Sequence, residues 1–121
     1  MTTPTIQQRE IPESLFGPLV EFQGDVSSEA AVQSHLAEHG YCPLRGVLDR
    51  NEVLAARREV FERLESVGEI RSPCEDGIAT RESRRSELHP DANAFWQSVS
   101  EGPLLRAVTH GERIRKLMAT L

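Results

Sequence analysis

Apolar residues recur at helical spacing over several stretches of this chain and at no regular spacing over the others. Ser27 or Ser28 can cap a helix in which Val32 and Leu36 share a face, and Gly40 supplies a left-handed stop, so a helix is predicted over 28–39. A longer helix is predicted over 50–67, with apolar positions at Val53, Leu54, Val60, Phe61, Leu64 and Val67. Arg57, Arg58, Glu59, Glu62, Arg63 and Glu65 fill much of its remainder and read as a solvated face. Two signals coincide at its start: Asp49 with Glu52 as a capping-box pair, and Leu48 with Val53 as a hydrophobic staple. Gly68 ends it. Pro90 precedes a helix over 91–101 carrying Phe95, Trp96 and Val99. Gly102-Pro103 then punctuates, and 103–121 reads as helical: Leu104, Leu105 and Val108 continue for a turn or two, and Thr109 with Glu112 is a further capping box that opens a helix with Ile114, Leu117, Met118 and Leu121.

The remaining stretches lack that spacing. Residues 1–25 hold Pro4, Pro12, Gly17, Pro18 and Gly24 among scattered apolar residues, which predicts an irregular arm. Residues 41–47 form a short glycine-bounded segment, expected to be an edge strand because Pro43 has no amide to donate to a ladder. From 69 to 90 the chain is polar and aperiodic, a length that in a small domain marks a disordered segment or a lid. The fold class expected is therefore mainly α with one or two short β-strands, with the arm at 1–25 and one domain over 26–121.

Composition narrows the partners. A chain of 121 residues fits one domain, but 5% aromatic content is thin for a self-contained core. A formal net charge of -5 argues against nucleic acid, which needs clustered Lys and Arg. Cys42 and Cys74 lie far apart without CxxC spacing, so neither a zinc site nor a disulfide framework is indicated, and a reducing cytoplasm is the expected compartment. No basic and apolar leader and no membrane-length apolar run occurs, so no membrane partner is expected.

Chemistry-bearing residues are few. His89-Pro90-Asp91 is a literal His-x-Asp triplet, with His110 as the only later histidine, and these three are the candidate metal ligands. The triplet opens a helix, where Asp91 is also explained by the helix dipole, and His110-Gly111-Glu112 reads as capping sequence. His35 and His39 have the four-residue spacing of zinc-binding helical pairs, without the glutamate after the first histidine that a metalloprotease needs. Cys74 sits in the polar stretch as either a reactive thiol or an inert surface one. Arg71, Arg81, Arg84 and Arg85 offer an anion site or, interleaved with Glu82 and Glu87, a solvated loop. Phe95 and Trp96 are core aromatics or a substrate wall.

The run from His39 to Glu52 resembles the amino-terminal part of the phytanoyl-CoA dioxygenase family of Fe(II)/2-oxoglutarate oxygenases. The resemblance rests on Gly40-Tyr41, Leu44, Gly46-Val47-Leu48-Asp49, Glu52-Val53 and the Arg-rich helix that follows, with weaker support from Phe95-Trp96 and Pro103-Leu104-Leu105. It implies a helical part flanking a double-stranded β-helix (jelly-roll) core absent from this chain, and, for full-length members, Fe(II) and 2-oxoglutarate as cofactors. No catalytic, cofactor-binding or iron-ligand role of the family carries over to a residue here, and no cofactor is expected for this chain alone. The expected function is then an inactive amino-terminal fragment that supports a hydroxylase core, with 69–90 as a possible lid. Its expected partner is the missing carboxy-terminal core or another protein surface. The alternative is a stand-alone helical interaction module without enzymatic activity, binding through Val60, Leu64, Leu117 and Leu121.

Overall fold

The computed structural model describes residues 4–121. The chain is mainly helical with one two-stranded sheet, and it divides into two compact units, Met1–Leu44 and Arg45–Leu121.

In the first unit the arm begins with a minimal antiparallel hairpin where no regular structure was expected. Strands β1 (Thr5–Ile6) and β2 (Arg9–Glu10) pair Thr5 with Glu10 and Ile6 with Arg9. Gln7 and Gln8 turn the chain with positive φ, the geometry that matches the strand twist. Helix α1 (Glu29–His39) follows the expected grammar. The Ser28 hydroxyl accepts from the Ala31 N–H, and Gly40, at φ 75°, donates its N–H to the Leu36 carbonyl. Val32 is fully buried beneath this helix. The arm returns along the segment after α1: the Val20 N–H donates to the Tyr41 hydroxyl oxygen at 3.1 Å, and the Phe22 N–H to the Pro43 carbonyl at 3.4 Å.

The strand expected over 41–47 does not form. Pro43 contributes no donor, and Gly46 at φ 68° breaks the extended path, so the backbone runs without a ladder.

In the second unit helix α2 (Arg50–Ser66) starts where its cap predicts, with the Asp49 carboxylate accepting from the Glu52 N–H at 3.0 Å. Its carboxy-terminal half packs Val60 and Leu64 against the core of Val67, Phe95 and Val99. The polar stretch 69–90 is folded rather than open. Arg71 donates to Ile78 and Thr80 to Glu69, both at 2.9 Å, around a bridge between Ile70 and Ala79. At the tip a 3-10 turn over Cys74–Asp76 closes on Gly77, and Glu75 there pairs with Arg58 of α2 at 3.2 Å. The stretch ends in a single helical turn, α3 (Arg85–Leu88).

Helix α4 (Ala92–Ser100) places Phe95 and Val99 in the core. The stretch 103–121 folds as α5 (Pro103–Thr109), which packs on α2, and a separate α6 (Glu112–Met118) that opens where Glu112 was expected to begin a helix. Thr109 does not cap α6, because its hydroxyl already donates to the Leu105 carbonyl at 3.0 Å and so finishes α5. Gly111 caps α6 instead, and a Cβ there would overlap the Ala107 carbonyl oxygen, so only glycine permits this corner. Among the described residues no helix is long and apolar enough to cross a membrane.

Candidate functional site

Two of the three candidate ligands of the second unit, Asp91 and His110, are engaged in local hydrogen bonds. The Asp91 carboxylate accepts the Ala94 N–H at 3.1 Å and caps α4. His89 follows α3 with its ring 5.0 Å from Phe95. His110 ends α5, its Nδ1 2.8 Å from the Thr109 hydroxyl. Among the described residues no three His, Cys, Asp or Glu side chains gather to hold a metal. These residues therefore do not fit the two-histidine, one-carboxylate face that Fe(II) requires.

Two of the four arginines of the polar stretch, Arg84 and Arg85, are tied down individually. Arg84 forms a fork with Glu87, donating from Nε at 3.1 Å and from a terminal nitrogen at 2.9 Å. That hydrogen bond and the attached positive charge hold the Glu87 carboxyl below its ordinary range. Arg85 donates to Glu69 at 3.0 Å while its guanidinium lies 4.8 Å over the Trp96 ring. Phe95 belongs to the core, and Trp96, 45% exposed, meets it edge-on at 5.3 Å. The arrangement is a stacked Glu69, Arg85 and Trp96 corner, not an open anion cradle.

Cys74 is buried, contrary to its expected place on the surface. Burial, then the nearby Glu75 carboxylate, then a hydrogen bond with Glu65 push its thiol above the usual range. A thiol so surrounded is a poor nucleophile at neutral pH.

A residue that sequence reasoning missed organises this unit. Glu59, placed on the solvated face by its neighbours in the chain, is buried at 8% exposure. Its carboxylate accepts the N–H groups of Leu104 at 3.3 Å and Leu105 at 2.9 Å. Helix α5 begins with Gly102 and Pro103, which supply no capping side chain and no first amide, so the open donors of its first turn are satisfied from α2. The positive end of the α5 dipole also favours the buried charge. Gly102 makes room for it, since a Cβ there would overlap the Glu59 Oε2. The Gly-Pro pair before an apolar run hints at a helix start, but nothing local names a carboxylate 45 residues earlier.

One cavity of about 220 Å³ lies between the start of α2 and the α5–α6 corner, lined by Leu48, Glu52, Val108, Gly111 and Arg113 among others. It is smaller than the usual small-molecule site. In the first unit, His35 and His39 do come together, with ring centroids 4.5 Å apart, and the His35 Nε2 is buried without a hydrogen-bond partner.

No family model, no characterised protein and no solved structure matches this chain.

Proposed function

We propose that this chain is a helical support that completes its packing on another polypeptide body, and that this body is the β-helix core of a phytanoyl-CoA dioxygenase-like hydroxylase. The observation that carries the first part is surface area. The solvent-accessible surface is 9441 Å². A compact monomer of this length exposes about 6,500 Å², and two separate compact bodies of the lengths of the two units expose about 7,800 Å² together. The excess includes large apolar side chains: Ile6, Leu15 and Leu19 in the first unit, and Trp96, Leu104 and Met118 in the second, are each more than two-fifths exposed.

The second part rests on the resemblance of the His39 to Glu52 run. The chain would contribute no iron ligand, leaving Fe(II), 2-oxoglutarate and substrate to the supported core, in a cytoplasmic setting. Coding DNA beyond codon 121 tests this reading: a His-x-Asp pair, a later histidine and an arginine in frame or one frameshift away support it, and unrelated sequence contradicts it. Purified chain that turns over 2-oxoglutarate with bound Fe(II), and loses both on His89→Ala, would also contradict it.

The alternative, a stand-alone module, is favoured by one observation, the second unit's own core around Val67, Phe95 and Val99. Val60 and Leu64 are packed against that core, so such a module would keep Leu117 and Leu121 of the expected set and add the exposed Trp96 and Met118.

A further inference from the structure

His35 and His39 lie four residues apart on α1, the spacing at which helical side chains meet. In the folded first unit their rings stand 4.5 Å apart, tilted by 52°. Phe22 presents its edge to His35 at 5.6 Å, and Tyr41 lies 6.4 Å from His35 and 6.0 Å from His39. The two imidazoles thus stand together beside the Phe22 and Tyr41 rings. Among these rings the His35 Nε2 is buried and has no partner, an arrangement that a folded protein retains at a cost unless something else satisfies the atom.

We infer that His35 and His39 form a two-imidazole binding site for a divalent ion of the zinc, nickel or copper class. The unprotonated ring nitrogen is the donor these ions prefer, whereas magnesium and calcium require oxygen. Glu38 adds negative charge beside the pair, its Oε1 3.8 Å from the His39 Nε2. No group of three donors assembles among the described residues, so the protein itself offers two imidazole donors to the ion. The inference is independent of the support role proposed above.

Titration of the full chain with zinc chloride, followed through the ring protons of its four histidines by NMR, tests it. The His35 and His39 signals are expected to move together and saturate at one ion per chain, with His89 and His110 unmoved and magnesium chloride without effect. His39→Asn removes one donor at a half-buried position and is expected to weaken zinc binding at least about tenfold. Circular dichroism checks that α1 remains, and His35→Asn serves as the second variant. Absence of any shift at millimolar zinc overturns the inference. Equal affinity in a folded His39→Asn variant, or shifts centred on His89, His110 or Cys42, overturns it as well.

Discussion

Glu59 shows how a single side chain can have a role that its neighbours in sequence conceal. Its carboxylate closes the first turn of α5, and Gly102 provides the space. Glu59→Ala leaves the Leu104 and Leu105 amides without their acceptor and is expected to lower unfolding free energy by about 1–3 kcal/mol in denaturant titrations. Gly102→Ala is expected to destabilise by displacing that carboxylate. In a chain already carrying Glu59→Ala the same change should cost little, so the double-mutant cycle should show strong coupling. Additive effects would mean that the two residues act separately. At the same scale, Cys74 should react with a thiol reagent more slowly than the less buried Cys42 at neutral pH, and should gain rate as pH rises towards its elevated titration range. Faster labelling of Cys74 would refute its assignment as an inert core thiol.

The helices obey local rules wherever a cap and an apolar face coincide. Ser28, Asp49 and Asp91 each accept an amide of the first turn, and Gly40 ends α1 in the left-handed conformation. Asp49→Ala and Asp91→Ala should each cost about 1 kcal/mol, and Asp91→Asn much less, because asparagine also caps. If Asp91→Asn proves as damaging as the alanine variant, capping does not explain this residue. Helices α1, α2 and α4 were legible for this reason, each within a residue or so of its predicted span. The 41–47 strand was not, because an extended sequence becomes a strand only with a ladder partner, and Pro43 and Gly46 deny it one. The 69–90 stretch hid a bridge and a docked turn, since its ordering comes from Arg58 and Val67 outside it and from pairing within it at Glu69, not from periodicity. Of the candidate site, His35 with His39 was legible as a spacing, while the orphaned nitrogen and the neighbouring aromatic rings required the fold.

Exposed ion pairs add a pH dependence at the element scale. Hydrogen bonds from Arg84 and Lys116, reinforced by their charges, hold Glu87 in α3 and Glu112 in α6 below the ordinary carboxylate range. A lowered folded-state value means stability present above the unfolded value and lost as pH falls through the folded one. Amide exchange is therefore expected to rise in α3 and α6 on acidification through the carboxylate range, modestly because both pairs are solvent-exposed. Unchanged protection in both helices would show that the pairs contribute nothing.

Across the whole molecule the surface outweighs the core. Its buried apolar residues are few and mostly small, Val32, Ala56, Val67, Ile70, Cys74, Phe95 and Val99 among those described, and the accessible area exceeds what even two compact bodies would show. A chain of this kind gains stability when its apolar faces are covered, which is the physical content of the proposed support role. A thermal melt of the purified chain with a dye that fluoresces on exposed apolar surface tests this most directly. The account predicts strong dye binding at 25 °C and a broad, shallow transition. A dye-silent monomer with a single sharp cooperative melt would contradict it.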